Sequence, residues 1–156
     1  MSIARLFSFG DMTAESQPVV QFVFNAKLVR IVDGDTVEAM VDRGFSDQTK
    51  MMVRIYGADC PECRGHERAA GEWVGNQVAA WFGDHTDIVL HSIKTRASFS
   101  RYLFNVWCQD RSLSDWLVEK NYAWPTDKNG QVIGPRDIER LGIPDGVKQQ
   151  VREALA

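Results

Sequence analysis

Three alternating apolar segments follow one another between residues 19 and 55, each bounded by turn-forming residues, and an alternating strand presents one apolar face that must be covered. Across 19–33, Phe22, Phe24, Ala26 and Leu28 share one parity while Val29 and Ile31 take the other. A parity switch inside one strand predicts a bulge or a sharp coil. Asp33-Gly34 reads as a hairpin turn, after which Val37, Ala39 and Val41 line one face of a second strand and Met51, Val53 and Ile55 one face of a third. Arg54 then points away from the apolar face of the third strand, free to meet a ligand.

The pattern changes to a helical period over 67–82, where Ala70, Trp73, Val74, Val78, Trp81 and Phe82 recur and Gly83-Asp84 closes the helix. Gly71 and Gly75 each weaken it by about 1 kcal/mol relative to alanine, so packing has to hold it. Two more strands follow at 87–94 and 101–108, and Ser112-Leu113-Ser114-Asp115 has the capping pattern of a short helix ending near Asn121. Beyond Pro125 the chain is polar and loop-like to Gly134. Pro135 and Gly142 then bracket a short helix containing Ile138 and Leu141, and a last helix runs from Pro144 or Asp145 to Leu155 with Val147, Val151 and Leu155 on one stripe. This order predicts an α+β, mainly β chain: a five-stranded Greek-key barrel of the oligonucleotide-binding (OB) type, with a helix between strands 3 and 4 and helices at the C-terminus. It is read as one domain, 19–156, with its core at 22–125 and a helical appendage at 135–156, preceded by an arm at 1–18.

With 156 residues, 44% of them apolar and 25% charged, the chain can build a core without cross-links. Its three cysteines, an odd number, fit a reducing compartment better than a disulfide framework. The apolar runs at 37–41 and 88–90 are too short to cross a bilayer, and residues 1–18 lack the charged start and long apolar stretch of a secretory signal, so the expected address is cytoplasmic. The formal charge of −3 and pI near 5.6 argue against tight, non-specific DNA binding through the overall field. Any nucleic-acid affinity has to come from a local positive site.

Asp33-Gly34-Asp35-Thr36 lies at a strand end, and Arg54-Ile55-Tyr56-Gly57-Ala58-Asp59-Cys60-Pro61-Glu62 follows it. Asp35 and Asp59 offer hard oxygens suited to calcium or magnesium. Glu62, behind a proline that stiffens the turn, is placed to orient or deprotonate a water. Arg54 and Arg101 can each fork onto phosphate oxygens. These are the parts that phosphodiester hydrolysis needs. Singly, each has a plainer reading: Asp-Gly as an ordinary turn, Arg54 as a strand cation paired with Glu38, Glu62 as a helix start, Arg101 as an exposed charge. Their joint occurrence favours the functional reading.

From about Phe22 to Pro125 these motifs resemble the staphylococcal-nuclease-like family, whose pattern has an Asp-Gly-Asp-Thr turn, an arginine before an Asp-x-Pro-Glu segment and a later arginine at a strand start. The resemblance implies the barrel fold. It also implies calcium, with magnesium or manganese as substitutes, held by Asp35, Asp59 and the backbone carbonyl of Cys60. Glu62 would be general base, with Arg54 and Arg101 clamping the scissile phosphate. The implied activity is low-specificity hydrolysis of DNA, and of RNA, leaving 3′-phosphates; nothing in the sequence demands more than a monomer. The chain departs from the family pattern at Cys60, where threonine is common, and at Phe99-Ser100, where Tyr-Gly is usual. The family's base-stacking aromatics have no clear counterpart, and Trp124 reads first as a core residue.

Cys60, Cys63 and His66 have ligand-like spacing, but a zinc site would need Cys108 from a distant strand as its fourth ligand. The same two cysteines could instead form a disulfide on oxidation and stiffen the Glu62 loop. His91 reads as a strand residue and His85 as a turn residue, while Arg64, Arg68, Lys94 and Arg96 are candidates for a basic rim. The rival to catalysis is a non-catalytic OB module that binds single-stranded nucleic acid or a protein partner.

Overall fold

A computed structural model describes residues 22–93 and 103–156. The arm read at 1–18, together with Lys94, Arg96, Phe99, Ser100 and Arg101, lies outside the described residues. The elements are β1 (Val23–Asp33), β2 (Thr36–Asp42), β3 (Gln48–Ile55), β4 (Ala58–Asp59), α1 (Arg68–Phe82), β5 (Asp87–Ile93), β6 (Leu103–Cys108), β7 (Arg111–Ser112), α2 (Leu113–Glu119), β8 (Trp124–Pro125) and α3 (Asp145–Leu155). Single 3₁₀ turns stand at Gly65–Glu67 and Ile138–Arg140. The second of these is the short helix expected around Ile138, held to one turn between Asp137 and Leu141.

Five long strands close a barrel in the order β3-β2-β1-β5-β6, and a parallel pairing of Arg54 with Leu103 and Ile55 with Phe104 joins β6 back to β3. This is an OB-like barrel. Its first strand serves two neighbours, Val23 to Lys27 lying against β5 and Ala26 to Asp33 against β2. The register shift between Leu28 and Arg30 leaves Val29 as the extra residue, 45% exposed, at the point where parity switches in the sequence. A bulge raises local twist, which lets one strand leave one partner and turn onto another. Val29 itself does not join the core, whereas Ile31 is partly buried.

Val37, Ala39, Val41, Val53, Ile55, Leu90 and Val106 fill the barrel. Helix α1 covers one end with Ala70, Val74, Val78, Trp81 and Phe82, and α2 adds Leu113 and Leu117. Ser112 caps α2 by accepting from the Asp115 N–H at 3.3 Å, as the sequence pattern anticipates. Helix α3 buries Val151 and packs Val147 partly against the core while Leu155 stays 63% exposed, so its apolar stripe docks by its first two turns and not by its end. None of the described helices is long and apolar enough to cross a membrane.

Candidate active site at the barrel mouth

The β1–β2 turn is Gly34-Asp35, between the paired residues Asp33 and Thr36. Gly34 is needed for proximity: a Cβ there would lie 2.7 Å from Val74 Cγ1 and 2.8 Å from Cys60 Sγ. The turn therefore sits against both α1 and the segment after β4, and it buries Asp35 to 2% exposure. Asp35 Oδ2 accepts the Cys60 N–H at 2.6 Å, Oδ1 accepts from the Thr36 hydroxyl at 3.2 Å, and the Asp35 N–H donates to Asp33 Oδ1 at 3.2 Å.

Arg54, opposite Thr36 on β3, turns its guanidinium to the same point. Nη1 donates to Asp35 Oδ1 at 2.7 Å and Nη2 to Asp59 Oδ1 at 2.6 Å. One fork thus spans both carboxylates, a charge-assisted geometry that fixes their separation. Glu38, the plainer partner considered for Arg54, pairs instead with Arg30 at 3.0 Å. Asp59 is carried by β4, which pairs with β8 opposite Trp124.

Glu62 follows on the same loop with its side chain 40% exposed, its carboxylate 3.6 Å from Arg64 Nε. The loop is held from beneath, because the Glu62 N–H donates to Glu67 Oε2 at 2.9 Å and α1 approaches so closely that a Cβ on Gly71 would lie 2.4 Å from the Glu62 carbonyl. Arg101 lies outside the described residues. Leu103, two positions later in the chain, pairs with Arg54.

Two further residues belong to this cluster and were not singled out from sequence. Arg136 donates from Nε to Asp59 Oδ2 at 2.9 Å, from Nη1 to Glu67 Oε1 at 2.8 Å and from Nη2 to the Cys60 carbonyl at 3.2 Å. Its guanidinium stacks 4.5 Å from the centre of the Trp124 ring, and Trp124 Nε1 donates to the Asp137 carbonyl at 3.1 Å. Trp124 is thus a core residue at 4% exposure. Glu67, 8% exposed, links Arg136 to the Glu62 backbone. An arginine in a polar stretch after a proline carries no local signal, whereas a buried glutamate before an amphipathic helix looks like an ordinary first-turn acid.

The cluster sets two guanidiniums against the carboxylates of Asp33, Asp35, Asp59 and Glu67. Burial pushes the Asp35 carboxyl up to about 8, opposed by Arg54 and by the Cys60 N–H and reinforced by Asp33. Burial disfavours the charge on Arg54 and Arg136, yet the facing carboxylates more than offset it and both stay above the ordinary arginine value. Burial, then the negative charge of Asp35, Asp33 and Asp59, drives the Cys60 thiol well above its usual range, which disfavours the thiolate that zinc binding or redox exchange needs.

Among the described residues no three His, Cys, Asp or Glu side chains converge as metal ligands. The donor set at the mouth is the carboxylates of Asp35 and Asp59 and the Cys60 carbonyl, all hard oxygens, which fits a calcium or magnesium ion completing its shell with water. Both Asp59 oxygens and the Cys60 carbonyl are engaged by arginine in this arrangement.

No family model matches the chain. It is 27% identical over 124 residues to a protein of Saprolegnia parasitica named Endonuclease Htp3, the match covering 69% of this chain and 58% of that protein. It is also 29% identical over 119 residues to Protein ParB of Escherichia coli, covering 70% of this chain and 61% of that protein. The chain spans about three fifths of the length of each of these curated relatives.

Proposed function

We propose that this chain is a calcium-dependent nuclease of the staphylococcal-nuclease-like kind, hydrolysing phosphodiester bonds of DNA and RNA with low sequence specificity. The observation that carries the proposal is the Arg54 fork across Asp35 and Asp59 at the mouth of an OB-like barrel, with Glu62 on the adjoining loop. Similarity to a protein named an endonuclease supports the same class of reaction.

Asp35, Asp59 and the Cys60 carbonyl would hold the ion, with magnesium or manganese as substitutes, and when bound it supplies positive charge beside the phosphate and a polarised water. Glu62 accepts a proton from the attacking water. The water oxygen bonds to phosphorus as the P–O5′ bond breaks, and the 5′ oxygen takes a proton, leaving a 3′-phosphate. Arg54 and Arg101 donate to the phosphate oxygens as charge builds on them. With a formal charge of −3 overall, a polyanion has to be held by local cations, Arg54 and Arg101 together with the ion.

The test is cleavage of single-stranded DNA, double-stranded DNA and RNA by purified protein with calcium, with magnesium and with excess chelator. Calcium should restore activity after chelation, while Glu62→Gln and Arg54→Ala should each lower the rate by about 100-fold or more with the fold intact. Absence of cleavage by folded protein under every condition would reassign the chain to the non-catalytic OB module. Cleavage that persists in chelator would remove the metal from the mechanism.

A further inference from the structure

The atoms that Arg136 holds are among those a divalent ion would take. Its Nε and Nη2 sit on Asp59 Oδ2 and the Cys60 carbonyl, from 77 and 76 positions along the chain. The position is prepared on every side. Glu67 accepts the third nitrogen, the Trp124 ring lies against the guanidinium face, and Trp124 also ties down the next residue, Asp137, through its carbonyl. The side chain is nevertheless 35% exposed, against 23% for Arg54, so it has an open route into water. Each of these oxygens has two lone pairs, but a guanidinium and a divalent ion held on the same two oxygens repel one another at close range.

We propose that Arg136 is a tethered cation that competes with the divalent ion for Asp59 and Cys60, so that loading the ion requires Arg136 to withdraw from those two oxygens. The proposal rests on the metal reading given above. Without the ion, Arg136 neutralises the carboxylates and keeps the Glu62 loop joined to the 135–137 segment. With the ion, the two contacts to Asp59 and Cys60 are released, while Arg136 keeps Glu67 and Trp124 keeps Asp137. By linkage, whatever the Arg136 contacts contribute to the ion-free protein is subtracted from ion affinity.

The measurement is isothermal titration of calcium into chelator-stripped, full-length protein, comparing wild type with Arg136→Gln and Arg136→Lys. Thermal unfolding is measured in parallel, with calcium and with chelator. Losing charge-assisted contacts to two of the ion's oxygens should tighten calcium binding about tenfold or more in Arg136→Gln, with Arg136→Lys in between. In chelator Arg136→Gln should melt below wild type, and calcium should raise its melting temperature by more than it raises that of wild type. If Arg136→Gln does not fold in chelator, the lysine variant carries the comparison. Equal or weaker calcium binding by both variants, with wild type binding normally, would overturn the competition and leave the metal site standing. If none of the three proteins binds calcium, the competition and the metal reading both fall.

Discussion

At the scale of single residues, Asp35 is where burial and charge conflict most. It is almost sealed from water and accepts from Arg54, Thr36 and Cys60, yet burial outweighs these donors and lifts its carboxyl from 3.8 to about 8. A carboxyl with a folded pKa above its unfolded one binds its proton more tightly in the folded state. Its contribution to stability is complete below the unfolded value and is lost as pH rises towards the folded one. Ion-free protein should therefore lose stability between about pH 4 and about pH 8, and Asp35→Asn should flatten that slope. Urea unfolding at several pH values in chelator checks it, and an unchanged slope in the variant would remove Asp35 as the source. That Asp35, Arg54 and Asp59 belong together was legible because their spacing forms a joint pattern. Arg136 and Glu67 were not, because their meaning lies in partners that sequence distance hides.

At the scale of elements, α1 separates two glycines that look alike in sequence. Gly75 has nothing within 4 Å of where its Cβ would be, whereas a Cβ on Gly71 would meet the Glu62 backbone at 2.4 Å. Gly75→Ala should stabilise the protein by about 0.5–1 kcal/mol, since only the helical entropy cost changes. Gly71→Ala should destabilise it by more than about 1 kcal/mol and displace the Glu62 loop. Denaturant unfolding of both variants tests the contrast, and similar shifts in the same direction would contradict it. The helix itself was readable from its apolar period, and so was the bulge in β1 from its parity switch. The function of Gly71 was not, since propensity measures only its cost and proximity supplies its reason. Gly34 repeats the lesson: the sequence reads it as a hairpin residue, while its neighbours show that it lets the Asp35 turn press against α1 and Cys60.

At the scale of the whole molecule, the site is a junction between the barrel and its C-terminal segment. The short β4–β8 pairing, Trp124 and Arg136 join the strand that carries Asp59 to the 135–137 loop, and α3 packs back against α1. Trp124→Phe removes the Nε1 bond to Asp137 and part of the surface under Arg136, and should cost about 1–2 kcal/mol by urea unfolding. No measurable loss would show that the segment is braced elsewhere. Alternation, one helical period, the capping pattern and the turn residues determined the number, order and type of the main elements by sequence alone, because each depends on neighbours a few positions away. The same chain-local logic marked Asp35, Arg54, Asp59 and Glu62 as one constellation. Barrel closure through β3 and β6, the burial that shifts Asp35 and the guanidinium of Arg136 on the Asp59 and Cys60 oxygens were decided only by tertiary structure. Each depends on groups from separate parts of the chain meeting in a space closed to water, and proximity of that kind has no local signature.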